Sequence, residues 1–396
     1  MLEGRDFIMF GGDWDRHPFS LQHIAEVLRH TNRVLWVGGI PIRGPKIQAY
    51  DLTRIVEKGR KMLVTSANAY DRSIPVPEVH PLFIPFYDIG PVRRWNDRML
   101  RSLLLKKIQQ LGFKDYPLLT PNPMIAGVIG TLGESSSHYF CLDNYAANKG
   151  AFRILEKLER DILQKVDSCW SLSDSLMRTR IPRSGENHFF REGVNLDHFK
   201  RTGGPVPEAL QNVPKPIVGY CGLLEWWVDF DLIVRCARAF PEATFVLLGA
   251  AKVDISMLSG QPNILCLGQI PLDELPRYME MFDVGLIPRK INRLTEAMNP
   301  LKLLEYLAMG LAVVSSYLPE VRKFKEHVYV AEDGEQFVSF LGKALMDQAP
   351  ARRQQREGVA ARHSWKSVAA EICDVIQRIE QHKQKSTARD FGSALA

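Results

Sequence analysis

The sequence predicts an α/β protein built from two doubly wound parallel-sheet domains, and three observations carry that expectation. The chain has 396 residues, more than the roughly 100–200 that one ordinary domain takes. Short apolar runs that end in glycine or polar turn residues alternate along it with amphipathic helical patterns. The alternation breaks once, in a Pro- and Gly-rich stretch without period between Asn195 and Pro216, and then restarts. Strand, glycine turn, helix, strand is how a parallel sheet with helical crossovers begins.

The elements follow in order. DFIMFGG reads as a buried strand stopped by glycines, SLQHIAEVLRH as the next helix and RVLWVGG as a second strand. PLLTPNP, SHYFCLD and KVDSCWSLS are three more apolar segments ending in turn residues. In such sheets ligands collect at the carboxyl ends of strands, which points to Gly11–Asp15, Asn122 and Asp143. After the break, PIVGYCG, ATFVLLGA, NILCLGQI, DVGLIP and AVVSS read as strands, with DFDLIVRCARAF, LDELPRYMEMF and NPLKLLEYLAMG as helices. SWKSVAAEICDVIQRIEQHKQ closes the chain with an amphipathic helical pattern. The expected division is 1–205, 206–365 and 366–396, the last a helix crossing back to the first domain.

Composition excludes several classes. A 45% hydrophobic and 24% charged chain is ordinary for a folded globular protein. Six cysteines lie apart with no CxxC pair, which argues against a disulfide framework or a zinc site. The N-terminal MLEGRDFIMFGGDWD turns acidic and Gly-rich before a signal core forms, and no run of 18 apolar residues occurs. A cytoplasmic location is therefore expected. The net charge is +6, with the basic excess in the first half and much of it between Pro91 and Lys107. There, Leu100, Leu103, Leu104, Ile108 and Leu111 are assigned to one helical face, while Arg93, Arg94, Arg98, Arg101, Lys106 and Lys107 with Trp95 decorate the rest, against Asp97 alone. Such a helix suits an anionic membrane surface, or equally an ordinary helix with a solvated basic face. The run lacks interleaved aromatics and a binding motif, so nucleic acid is not expected.

The strongest chemical signal is Met298–Val321, a loop, a helix, a glycine stop and a buried strand. Pro300 suits a first helical position, Asn299 would be the N-cap, and the amides of Leu301 and Lys302 would face an anion with the Lys302 charge beside them. Glu305, one turn on, would reach ribose hydroxyls. An ordinary capped helix with a surface Lys/Glu pair reads equally well from spacing alone.

NPLKLLEYLAMGLAVVSS resembles the donor-binding segment of GT-B glycosyltransferases, above all the family-4-like enzymes of bacterial polysaccharide assembly, with xanthan-type glucuronosyltransferases and teichuronic-acid-type transferases among them. GYCGLLEWWVDFDLIVRCARAFPEATFVLLG resembles the opening of their C-terminal domain, LGQIPLDELPRYMEMFDVGLIP the next segment, and GVNLDHF the end of their N-terminal domain. The resemblance runs from about Tyr139 to Val321 and more loosely through GGDWDRHPFSLQHIAEVL. It implies two Rossmann-like domains facing a cleft, with the acceptor on the first and a nucleoside diphosphate sugar, carrying UDP or GDP, on the second.

Residue by residue, the resemblance implies that Lys302 meets the donor phosphates, Glu305 the ribose, Gly222 the diphosphate through its backbone, and the Gln269 turn the base. Two departures stand out. Ala297 occupies the position where the family pattern carries a second glutamate, and LLEWW follows Gly222 where basic residues are usual. Arg289 or Arg293 would then supply the missing charge.

Asp143, after a strand, reads either as a helix cap or as the base that takes a proton from an acceptor hydroxyl. It resembles the base of inverting bacterial enzymes. Gly12, Asp13 and Arg16 would line the acceptor side, and His17 would be a second base, an acceptor contact or a packing residue. No metal or other cofactor is expected. The expected function is glycosyl transfer to a glycan or lipid-linked acceptor in cell-surface polysaccharide synthesis, with peripheral contact to the inner face of the membrane. The rival readings are a non-catalytic nucleotide-sugar-binding protein and a dinucleotide-dependent oxidoreductase or epimerase, against which GGDWD is not GxGxxG.

Overall fold

The computed structural model describes residues 1–14, 19–42, 76–147 and 150–394, with side-chain burial up to residue 386. Contacts divide the chain into two units: Met1–Phe190 together with Lys366–Ala396, and Arg191–Trp365.

The first unit runs β1 (Asp6–Phe10), α1 (Ser20–Leu28), β2 (Arg33–Val37), β3 (Glu78–Val79), α2 (Gly90–Leu111), β4 (Pro117–Thr120), β5 (Ser136–Cys141), α3 (Leu155–Leu163), β6 (Ser168–Ser171), α4 (Asp174–Thr179) and β7 (Glu186–Phe189). Its sheet order is β3-β2-β1-β4-β5-β6-β7, with every pairing parallel. β1, β4, β5 and β6 are buried at every position, as strands covered by helices on both faces must be. The strand order reverses between β1 and β4, so their carboxyl ends flank the switch point where doubly wound sheets take ligands.

The second unit runs β8 (Ile217–Cys221), α5 (Phe230–Ala239), β9 (Thr244–Leu248), α6 (Ser256–Ser259), β10 (Ile264–Gly268), α7 (Leu275–Glu280), β11 (Val284–Ile287), α8 (Lys302–Ala308), β12 (Ala312–Ser316), α9 (Pro319–Arg322), β13 (Tyr329–Ala331), α10 (Gly334–Met346) and α11 (Pro350–Ala361). Its parallel sheet has the order β10-β9-β8-β11-β12-β13, and its switch point lies between β8 and β11. Two apolar clusters cover the faces of this sheet, one around Tyr306, Leu307 and Val313, the other around Phe245, Leu247 and Val284.

The division falls at Phe190/Arg191 instead of at residue 205. Residues after Arg191 are committed to the second unit: Val194 pairs with Ser364, Phe199 is 4% exposed in a second-unit core cluster, and the Arg201 guanidinium donates to the carbonyls of Met309 and Glu280.

α12 (Trp365–Ala394) returns to the first unit. Val368, Ile372, Val375, Ile376 and Ile379 are buried along it at three- and four-residue spacing, the stripe of an amphipathic helix. Charged pairs hold the polar edge: Glu380 with Arg5 at 3.0 Å, Arg378 with Glu186 at 2.5 Å, and Lys383 with Asp167 at 3.0 Å.

Beneath that edge, His138 on β5 is fully buried between the Ser168 and Ser136 hydroxyls, at 2.8 and 2.9 Å. Burial pushes its pKa down to about 4. The unfolded chain therefore takes up a proton near pH 6.5 that the folded protein refuses until about pH 4. Unfolding free energy should fall as pH drops through that window, by about 3 kcal/mol. Denaturant titrations at pH 7 and pH 4.5 check it, and His138→Gln should flatten the difference.

Candidate functional site

The richest constellation sits at the carboxyl ends of the second sheet, around its switch point. Gly222 follows β8 with φ +153°, and Gly249 follows β9 with φ +152°. A Cβ on Gly249 would lie 1.8 Å from the Gly222 carbonyl oxygen, so the two turns need glycine to pass each other. Tyr306 of α8 braces the sheet from below, its hydroxyl accepting the Cys221 amide at 2.8 Å. Gly285 makes room for that ring, since a Cβ there would sit 2.8 Å from it.

Across the switch point, Arg289 follows β11. Its amide donates to the Ser316 hydroxyl at the end of β12, at 2.9 Å. Its Nε and Nη1 are buried and take no acceptor among the described residues. A guanidinium carries five donors and is always charged, and leaving some of them buried without acceptors is costly. The Tyr220 phenol on β8, raised by burial, is hydrogen-bonded to the Arg289 side chain and feels the charges of both Arg289 and Lys302. Two cations thus bear on one strand end, beside a glycine turn. Arg293, the other candidate for phosphate charge, is exposed and stands in no hydrogen bond or ion pair among the described residues.

Lys302 and Glu305 open α8 on the same side. Their side chains are largely buried and paired, Nζ to Oε2 at 2.5 Å. The structure differs from the expected Asn299 cap. α8 begins at Lys302 with Leu301 as its N-cap, and no side chain caps it. Asn299 lies before the turn, because the Pro300 carbonyl already accepts the Leu303 amide and Leu301 accepts those of Leu304 and Glu305. With seven residues the helix offers only a weak dipole at that end, beside the Lys302 charge. The Leu301 and Lys302 amides remain at that end. Gln269, the base-side candidate, is exposed just past β10 after Gly268, whose φ is +71°.

Two residues there went unread in the sequence. His198 donates from Nε2 to the Leu272 carbonyl, 2.9 Å away, and feels Glu305 and Lys302. Phe199 lies under the Lys302 ammonium, 6.0 Å from ring centroid to Nζ. GVNLDHF carried the signal, but it reads as a domain end instead of a wall of this constellation.

In the first unit, Asp143 follows β5 half-buried, and its charge raises the neighbouring Tyr145 phenol further after burial. The next α-helix starts only at Leu155 with Ile154 as its cap, so Asp143 is not that helix's cap. The other nearby carboxylate, Glu159, is committed: it accepts from Tyr139 Oη at 2.9 Å, Cys141 Sγ at 3.5 Å and Arg180 Nε at 3.1 Å. Burial pushes the Cys141 thiol well up, which removes it as a nucleophile. At the switch point, Asn122 accepts the Met124 amide and donates to the Ile40 carbonyl.

Gly12 and Asp13 follow β1. The Gly12 carbonyl accepts from Trp36 Nε1 at 2.9 Å, and a Cβ on Gly11 would lie 2.1 Å from the Trp36 ring. Gly11 therefore serves packing, whereas the sequence suggested close approach to a ligand. Asp15, Arg16 and His17 lie outside the described residues.

The whole-chain architecture matches known structures. Sucrose-phosphate synthase from Thermosynechococcus elongatus superposes with a TM-score of 0.69 at 14% identity, covering 95% of this chain and 99% of that one. Anabaena HepE, solved in complex with UDP and glucose, gives 0.61 at 13% identity, covering 94% and 100%. The fold is the two-sheet GT-B fold of glycosyltransferases. Residues 231–374 match the glycosyl transferase-like family. A putative teichuronic acid biosynthesis glycosyltransferase of Bacillus subtilis (strain 168) is 29% identical over 234 residues, 56% of this chain and 59% of that protein. The match thus spans less than two thirds of that relative's length.

Proposed function

We propose that this chain is a glycosyltransferase that moves a sugar from a nucleoside diphosphate donor to a glycan or lipid-linked acceptor in cell-surface polysaccharide synthesis. The observation that carries it is the Arg289 side chain at the switch point, whose Nε and Nη1 are buried without acceptors among the described residues, with Lys302 bearing on the same strand end. Paired cations around a glycine turn answer a diphosphate. The glycosyl transferase-like match and the relative's printed role support the transfer and the pathway class, and the UDP complex of Anabaena HepE supports a uridine donor.

In this reading the second unit binds the donor. Arg289 and Lys302 take up the charge that develops on the departing diphosphate, without a metal ion, while Glu305 accepts from the ribose. Asp143 of the first unit receives the proton of the acceptor hydroxyl as that oxygen attacks the anomeric carbon. No helix among the described residues is long and apolar enough to cross a membrane, and the reading includes peripheral contact with an anionic inner membrane face.

Calorimetry with UDP and GDP tests the donor site. Lys302→Ala should weaken nucleoside diphosphate binding by about 1.5–3 kcal/mol, the worth of a charge-assisted hydrogen bond. Unchanged affinity removes Lys302 from the site. Glu305→Gln should cost ribonucleotides more than their 2′-deoxy counterparts, and equal losses count against ribose recognition. A second reading, a nucleotide-sugar-binding protein without turnover, is favoured by Ala297, which is 4% exposed where the family pattern has a glutamate. Release of labelled sugar from UDP- or GDP-sugars with acceptor present separates the two.

A further inference from the structure

The long helix α2 carries an apolar ridge that stands exposed among the described residues. Its inward face is set by Asn96, Leu100, Leu104 and Ile108, all buried at four-residue spacing. Trp95, Met99 and Leu103 repeat at the same spacing one residue earlier, and they are 44%, 48% and 39% exposed. The sequence places Leu103 with the inward set; the structure turns it outward, because a stripe already complete at Leu100, Leu104 and Ile108 leaves it no room.

The ridge has a built border on each side. On one, the loop before α2 is pinned to the helix: Asn96 accepts the Ile84 amide and donates to its carbonyl, at 3.0 and 2.9 Å. That loop exposes Phe86 at 55% and Ile89 at 51%. On the other, Arg94 and Arg98 lie one residue before Trp95 and Met99, and Lys106 projects on the ridge's own face one turn beyond Leu103. None of the three pairs with a carboxylate among the described residues. The acid of the helix, Asp97, turns inward, where it lies against Gly127 and burial raises its pKa. Two of the helix's other cations have structural duties: Arg93 donates to the Tyr87 carbonyl and Arg101 to that of Thr131.

We propose that this face is a docking surface for an anionic lipid bilayer, with Trp95, Met99, Leu103, Phe86 and Ile89 entering the interface and Arg94, Arg98 and Lys106 meeting the headgroups. Apolar side chains flanked by cations without carboxylate partners, with the acid of the helix turned inward and the loop's Asp88 accepting the Ile154 amide at 2.9 Å, match a surface that is negative above and hydrocarbon below. A protein partner would need carboxylates at the rim, and a second copy would set these cations against each other. The inference names the partner surface of the transferase reading and rests on its lipid-linked acceptor; the chemistry of the patch stands apart from the donor site.

The experiment is flotation of the full chain with vesicles of phosphatidylcholine, with and without phosphatidylglycerol, alongside UDP and GDP calorimetry on the same samples. Wild type should float only with phosphatidylglycerol. The Arg94→Gln, Arg98→Gln, Lys106→Gln triple variant should lose roughly a hundredfold in partitioning, and added salt should weaken wild type in the same direction. The Trp95→Ser, Met99→Ser, Leu103→Ser variant should lose partitioning at every salt concentration, with nucleotide binding unchanged, since the positions are exposed. Brominated lipid should quench tryptophan emission in wild type and much less in Trp95→Phe. Wild-type flotation that survives both triple variants overturns the surface, as does absence of flotation. So does a concentration-dependent dimer lost on Trp95→Ser. Flotation without UDP or GDP binding would sink the donor reading and leave the surface standing.

Discussion

Asp143→Asn should leave the fold and the nucleoside diphosphate affinity as they are, and lower the transfer rate by about 10²–10⁴, the span of a lost general base. The expectation rests on a division of labour between two carboxylates near the end of β5. Glu159 is 5% exposed and holds Tyr139, Cys141 and Arg180; its removal would leave the buried Tyr139 phenol without its acceptor and the partly buried Arg180 without its carboxylate, which is a stability defect. Asp143 sits at the strand's carboxyl end, half-buried, where a ligand of the first sheet would approach. Asparagine keeps its shape and removes its basicity. Single-turnover rates with donor and acceptor, with calorimetric donor binding as the control, decide the matter. A variant that turns over within a few-fold of wild type makes Asp143 structural, and a variant that loses donor binding as well shows that the substitution disturbed more than a proton acceptor.

Much of this architecture is legible in the chain, and the gaps have physical causes. β1, β2, β8 and β9 announce themselves because a strand buried between helical layers is largely apolar, and a glycine follows each of them. β7 escapes because Glu-Asn-His-Phe alternates polar residues that α12 satisfies through the Glu186–Arg378 pair, a partner 192 positions away in sequence. The start of α8 misleads because Asn-Pro looks like a cap, while the chain makes one tighter turn on the Pro300 and Leu301 carbonyls before the helix proper. At the site, Lys302 and Glu305 are readable from spacing and resemblance together. Their mutual pairing, and their neighbours His198 and Phe199, depend on which unit residues 191–205 join, and packing decides that.

Arg289→Met should do something unusual: weaken nucleoside diphosphate binding by about 1.5–3 kcal/mol without lowering the melting temperature of the ligand-free protein. Most substitutions at partly buried sites destabilise. Here Nε and Nη1 are buried without acceptors, and the side chain's partner is the Tyr220 phenol, so the ligand-free fold carries the cost of an under-satisfied cation, and an unbranched apolar side chain of similar reach relieves it. The backbone duty survives, since the amide of residue 289 still donates to Ser316. What disappears is the fork that a diphosphate would fill. Lysine at this position restores the charge without the paired geometry, so Arg289→Lys should recover part of the affinity and not all of it. Calorimetry with UDP, GDP and the corresponding nucleosides, run beside thermal melts, reads each term separately. Nucleoside binding should be equal in wild type and Arg289→Met, because the arginine addresses phosphate alone. A melting temperature that falls while diphosphate affinity holds would mean that Arg289 supports the fold, and the charge that meets the donor would then have to come from Lys302 alone.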